Sequence, residues 1–341
     1  MRSSDSHFVK ATGLRWVSVM LLTPIPWAHR VWALPFLTVL APSERYHATH
    51  GRRHKRLTDW ARQLLRQLLR QLLRQVRRWV PGRRIIVVTD SGFAALDLLA
   101  ALTRDGVTMI TRLRLDAALY APAPDRRHGM MGRPRKKGRR LPTLAAVLDD
   151  PATNWTRATI RGWYGATDRE VEYTSATAVW YHAGLPVVPM RWVLVRPCDG
   201  RGDPAAIACT DPRQAATQIV RWFVQRWQVE VTFEETRRHL GVETQRQWSD
   251  RAIARTTPIL LSLFSLVTLL AHQLVPDDGT LPVRQCAWYQ KTTPTFSDAL
   301  AVGRAQWWRA ICLHMSQPKT DIQKLPPPIW AHLTDTLCYA A

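Results

Sequence analysis

Apolar residues along this chain gather into runs with two different periods, and the extended runs come first. Leu14 to Leu22 and Arg30 to Leu40 are separated by Thr-Pro-Ile-Pro-Trp-Ala-His, and Pro24 and Pro26 mark a turn between two strands. A basic loop, Arg52 to Arg56, then leads into a helix expected from about Asp59 to Trp79. That helix repeats Arg-Gln-Leu-Leu from Arg62, Arg66 and Arg70. A four-residue repeat advances roughly 40° per unit on a helix, so its leucine stripe winds around the axis and only part can face one core. It reads as a surface helix lengthened by a duplicated repeat rather than as a coiled coil.

Ile85 to Thr89 is a short β-branched run suited to a central, buried strand. It ends at Asp90, Gly92 supplies a turn, Phe93 to Leu102 reads as a helix and Val107 to Arg112 as another strand. Strand, acid at its C-terminal end, turn and helix is the arrangement at which α/β sheets usually hold ligands. Residues 113–213 are less regular and contain two strand-like stretches, Glu170 to Tyr181 and Val187 to Val195. They read as a β-rich insertion with a basic loop. Helices are expected from about Pro212 to Leu240 and from about Ser249 to Leu274, and the proline-rich C-terminal part is expected to form short helices and loops. The chain thus divides into 1–112, 113–213, 214–275 and a tail, 276–341.

Charge narrows the partner. The 341 residues carry 48 Lys+Arg against 26 Asp+Glu, a formal charge of +22, and such a field favours nucleic acid. The five cysteines form no Cys-x-x-Cys pair and the eleven histidines no His-Glu-x-x-His pattern. That argues against a zinc site or a disulfide framework, and buried thiols in a reducing compartment are expected. The N-terminus has no signal-type apolar core, and the longest apolar stretch, Ile259 to Ala271, falls short of the ~18–20 residues that span a bilayer. A cytoplasmic protein with no membrane partner is the expectation.

The helix around Glu230 holds the candidate chemistry. Projected at about 100° per residue, Ile219, Trp222, Phe223, Arg226, Val229, Glu230, Phe233 and Arg237 share one arc, so charges appear on a mainly apolar face. Buried charges must be paired or bound to a metal. An internal Arg226–Glu230–Arg237 ladder would satisfy that requirement, and so would a ligand site. The segment WFVQRWQVEVTFEETRRHLG resembles the Y-x2-R-x3-E-x6-K signature of DDE-type insertion-sequence transposases, with Phe223, Arg226, Glu230 and Arg237 at its four positions. Phe replaces Tyr and Arg replaces Lys. VVTDSGF resembles the family's second-acid segment, and VETQRQWSDRAIARTTPILL its region after the glutamate helix.

The resemblance implies an RNase H-like α/β fold, a mixed sheet flanked by helices, with the β-rich insertion between the second and third acids. It implies that Asp90 and Glu230 are catalytic and ligate Mg²⁺ or Mn²⁺, because phosphoryl displacement needs hard cations held by carboxylates. It implies DNA contacts from Phe223, Arg226 and Arg237, with transposon ends and target DNA as partners and a homodimer holding them in a synaptic complex. In such a fold the first acid lies on a strand ahead of two further strands, yet only two strand candidates precede the first long helix. Asp5, Glu44 and Asp59 lie in no β-branched run. The expectation is that the first strand and its aspartate are missing, leaving activity impaired.

Other signals are weaker. Gly132 to Arg140 contains a Gly-Arg-Pro core like that of an AT-hook, so Arg133, Arg135, Lys136, Lys137, Arg139 and Arg140 are candidate DNA contacts, or a solvated loop that touches phosphates only. Trp248 could stack on a base. The alternative to an active transposase is an inactive DNA-binding remnant. A helix-turn-helix regulator accounts for less, since no compact three-helix unit is evident.

Overall fold

The computed structural model describes residues 13–67, 82–124, 134–165, 168–200, 202–276, 279–285, 290–315 and 326–339. It opens with a hairpin of β1 (Trp16–Ile25) and β2 (Arg30–Leu40), paired antiparallel from Trp16↔Leu40 to Ile25↔Arg30. A 3-10 turn at Pro26–Ala28 closes it, ending on His29 at φ 51°. The register slips between Val19 and Met20, where Pro35, which has no N–H to donate, stands in β2. Two helices follow, α1 (Glu44–Thr49) and α2 (Leu57–Gln67). The Arg-Gln-Leu-Leu repeat beyond Gln67 lies outside the described residues.

The main sheet starts with a parallel unit: β3 (Ile85–Thr89), α3 (Leu96–Arg104) and β4 (Val107–Leu113). The strands β5 (Leu119–Tyr120), β6 (Thr156–Ile160), β7 (Arg169–Trp180), β8 (Val188–Pro197) and β9 (Ala205–Cys209) join the same sheet, with helix α4 (Leu144–Asp149) between β5 and β6. The order is β3-β4-β9-β8-β7-β5, and β6 also pairs with β7. The segment expected as an insertion therefore continues the β3–β4 sheet, because β9 pairs antiparallel with β4 through Ile110↔Cys209 to Leu113↔Ala206. One expectation is corrected, that for β3. It was expected in the middle of the sheet but stands at its edge, paired only with β4 among the described residues, and all five of its residues are half-buried.

Strand alternation gives this mixed α/β sheet two packed faces. Ile85, Val87, Val107, Met109 and Leu113 point to one, where Leu98, Leu99 and Leu102 of α3 and Leu64 and Leu65 of α2 cover them together with Val17 of the hairpin. Ile110, Val193, Val195 and Ile207 point to the other, against Ile219, Val220, Phe223 and Val224 of α5 (Ala216–Gln225). Helix α6 (Trp227–Leu240) docks on the hairpin, with buried Thr232 donating from Oγ1 to Ala33 O at 2.7 Å. Gly241, at φ 72°, ends α6 in the left-handed conformation that a β-carbon disfavours.

Helix α7 (Asp250–Gln273) also packs on β2, burying Leu261, Phe264, Val267 and Ala271, and Ser265 donates to Pro35 O at 2.6 Å. The sequence suggested a buried helix too short to span a bilayer. By length and composition alone this helix passes that test, and only 28% of its most apolar window is buried. Ile259, Leu263, Leu266 and Leu269 are exposed. The C-terminal part, expected as short helices, contains α8 (Phe296–Met315) of 20 residues and α9 (Pro327–Tyr339) of 13. Of the cysteines, Cys209 and Cys338 are buried and Cys198 is exposed, and burial pushes the Cys209 thiol up to about 11. Cys286 and the side chain of Cys312 lie outside the described residues.

One buried charge fixes the α8 end. Asp298 is 0% exposed, pairs with Lys291, and accepts from Thr295 N at 2.7 Å and Tyr339 Oη at 2.9 Å. Burial would raise its pKa, but Lys291 and the Thr295 N–H outweigh burial and hold the carboxyl below the usual range. Its stabilisation is therefore present above the ordinary aspartate pKa and is lost as pH falls through the depressed folded value. Asp298→Ala, which strands Lys291, should cost roughly 3–5 kcal/mol, read from thermal melts at neutral pH.

Candidate active site

Asp90 follows the last residue of β3 and begins a single 3-10 turn, Ser91–Phe93. Its backbone is extended, with φ −80° and ψ 170°, so the alternation of β3 continues through it. Ile86 and Val88 face α5, and Asp90 falls on that same side of the sheet. Two bonds set its position. Asp90 Oδ1 accepts from Ser91 N at 2.7 Å, and buried Thr111 on β4 donates from Oγ1 to Asp90 O at 3.0 Å. The carboxyl is exposed at the end of the strand.

Glu230 is not placed as the sequence suggested. The single helix expected across this region breaks at Arg226, where 3-10-type bonds run from Arg226 N to Phe223 O and from Val229 N to Arg226 O. The arc that carries Arg226, Glu230 and Arg237 is real, yet it does not face a core. The buried face of α6 is the polar stripe Gln228, Thr232 and Thr236, on the far side of the helix. Hydroxyl groups suit that face because they can bond to the hairpin's carbonyl oxygens, as Thr232 does. The Glu230 side chain is 44% exposed and pairs with Arg226 Nη1 at 3.1 Å. Arg237 turns to Glu243 at 3.5 Å instead, so the three-residue ladder is not formed.

The other sequence candidates scatter. Phe223 is 4% exposed and packs in the core under the sheet, where it cannot touch a duplex. Trp248 is 99% exposed in the loop before α7. Arg133 lies outside the described residues. Arg135, Lys136, Arg139 and Arg140 are exposed, but Lys137 sits 3.6 Å from the Tyr120 ring and 4.2 Å from that of Tyr181. The basic segment is also tied to β5: Gly138 N donates to Ala121 O at 2.8 Å, and a β-carbon at Gly138 would meet Pro122 O at 2.5 Å. It is a fixed strap, not a free loop.

Two residues escaped sequence reasoning. Tyr164 adopts φ 50°, a costly conformation for a tyrosine, and its ring meets Trp227 edge-on at 5.7 Å. Burial pushes its phenol above the usual range, Arg226 and Arg112 pull it back, and Glu230 adds to the rise. Arg112 comes from β4, one residue past the Thr111 that holds Asp90. Phe223 lacks the hydroxyl of the transposase signature, and Tyr164 places one beside Arg226 and Glu230. Its only sequence signal was the Gly162-Trp-Tyr-Gly165 turn. Nearby, Arg161, Arg221 and Gln225 line a cavity of about 350 Å³.

A mixed sheet of seven strands flanked by helices, with an acid at the end of one strand, fits an RNase H-like nuclease class. The family model described as DDE superfamily endonuclease matches residues 3–182, and the chain belongs to that family. DNA is its substrate class and strand cleavage its chemistry. The match includes Asp90 and stops short of Glu230. No curated protein matches the chain. Such endonucleases generally use divalent metals, but among the described residues no group of three His, Cys, Asp or Glu side chains gathers at metal-holding distances. The donor set is incomplete for the ions the family uses.

The other face of α6 carries a pH-sensitive group. Glu235 is largely buried with Oε2 lacking a hydrogen bond among the described residues, although His239 Nε2 lies 3.5 Å away. Burial raises its pKa, and Arg238 and Arg30 only partly reverse that. The folded state thus holds this proton more tightly, and stability falls as pH rises from the ordinary glutamate pKa through the raised folded value. Glu235→Gln should stabilise by roughly 1 kcal/mol at neutral pH and by less as pH drops towards 4.5, the ordinary value, read from paired melting curves.

Proposed function

We propose that this protein acts on the DNA ends of an insertion sequence as a transposase, with Asp90 and Glu230 as its second and third acidic residues. What supports this is Asp90 at the end of β3 on the α5 side, and Glu230 held by Arg226 near Tyr164, whose phenol feels the charges of Arg226, Arg112 and Glu230. Cations around two carboxylates suit a site that must receive a phosphodiester. Mg²⁺ or Mn²⁺ is the metal we assign, because hard divalent ions prefer carboxylate oxygen. Two copies would be needed to hold two ends.

The same reading makes the chain a poor catalyst. Two acids are a weaker metal site than three, and the third would come from a strand lying between the hairpin and the main sheet. Among the described residues the hairpin forms its own two-stranded sheet and β3 has no partner on its outer side. Both features favour that view. The second reading, a DNA-binding remnant without cleavage, differs only in the residual rate.

The test is nicking of a supercoiled plasmid by the purified chain in Mg²⁺ or Mn²⁺, with Mn²⁺ binding followed by electron paramagnetic resonance. Slow, metal-dependent nicking is expected, with Asp90→Asn and Glu230→Gln each lowering both rate and Mn²⁺ affinity at least tenfold. Fast cleavage that survives both substitutions would overturn the assignment. Mn²⁺ binding without any nicking would select the remnant.

A further inference from the structure

A large cavity lies away from Asp90 and Glu230. It encloses about 1060 Å³ between the open end of the hairpin, the loop that precedes α2, and the N-terminal turn of α7. That volume is at the top of the range for ligand clefts. Its charge is one-sided. Arg15, Arg52, Arg53, Lys55 and Arg251 line it, together with two histidines, against the carboxylates of Glu44 and Asp250. Asp250 is already engaged, accepting from the Tyr46 hydroxyl at 2.7 Å. None of the five cations has a carboxylate within 4.0 Å among the described residues. Five unpaired cations around a concavity repel one another, a cost that a polyanion would remove.

The loop that carries three of these cations is held in place. Buried His47 bonds through Nδ1 to Arg53 O at 2.9 Å, and Arg52 N donates to His47 O at 2.8 Å, so the loop backbone is tied to α1. Lys55 bonds to Gln63 at 2.9 Å and rests 4.7 Å from the Trp60 ring. Tyr46 and Trp60 add aromatic surface to the same wall. Cations beside aromatic rings are what a single nucleic-acid strand requires: phosphates on the cations and unstacked bases against the rings. A concave site suits one strand, whereas a duplex would reach only its rim. Helix α2 links the two sites. Trp60 on α2 lines the cavity, and α2 packs against the turn that follows Asp90, so one helix touches both.

We propose that this cavity binds an unpaired strand of DNA, holding a melted end on the α2 side of the sheet. The proposal rests on the DNA-processing function above. Fluorescence anisotropy of a labelled mixed-sequence oligonucleotide, single-stranded or annealed to its complement, tests it across a salt series. The single strand should bind more tightly than the duplex. Arg52→Ala/Arg53→Ala/Arg251→Ala should weaken single-strand binding at least tenfold and reduce the slope of log K against log salt by about 2, at ~0.7 per phosphate contact. Tyr46→Ala should weaken it about tenfold with the salt slope unchanged, which separates ring contact from charge. Circular dichroism melts confirm that each variant is folded. Equal binding of single strand and duplex by the parent, or a folded triple variant with the parent's slope, overturns the proposal while leaving the assignment of Asp90 and Glu230 intact. Failure of the parent to bind DNA in either form sinks the DNA-processing function itself.

Discussion

Pairing along both sides of β4 is the constraint on which the rest of the molecule depends. One side bonds in parallel to β3 and the other in antiparallel to β9, so a single strand joins β3 to the rest of the main sheet. Its alternation also sorts the interior. Thr111 faces one core and holds the Asp90 backbone, while Arg112 faces the other and stands beside Tyr164. A one-residue slip in this pairing would exchange those two roles and place the acid's support on the wrong side.

Charge is distributed around this frame according to what each face can solvate. Helix α6 buries hydroxyl and amide groups against the hairpin and leaves the Glu230 carboxylate exposed, paired with an Arg226 that is itself only 21% exposed. The value of that arrangement is readiness: an exposed carboxylate can exchange water for a cation without being buried first. Asp298 is the opposite case, a carboxylate satisfied on every side and committed to structure.

Much of the fold was legible because period alone identifies an element. The hairpin, β3, β4, β7, β8 and α7 fall within a few residues of where alternation and helical spacing put them. Period does not say what a face packs against. Ile85 to Thr89 reads as buried from its side chains, yet burial depends on a neighbour that sequence spacing cannot supply. The arc through Glu230 was found correctly and assigned to the wrong environment, since Thr232 and Thr236 look like poor core residues until a carbonyl oxygen is set opposite one of them. Phe223 matched a motif position but packs as an ordinary core ring. Tyr164 and Arg112 belong to no motif, and only the fold brings them beside Glu230.

The outer edge of β3 carries one more implication. Five consecutive residues, Ile-Ile-Val-Val-Thr, have no strand partner on that edge among the described residues, with no charge or proline among them to discourage another chain. Concentrated samples will tend to grow edge to edge, each molecule serving as a template for the next. The same growth would shut away Asp90, which sits at the end of that edge, so aggregation and loss of function share one starting point. A lysine or proline placed on β3 to block the first would disturb the support of the second.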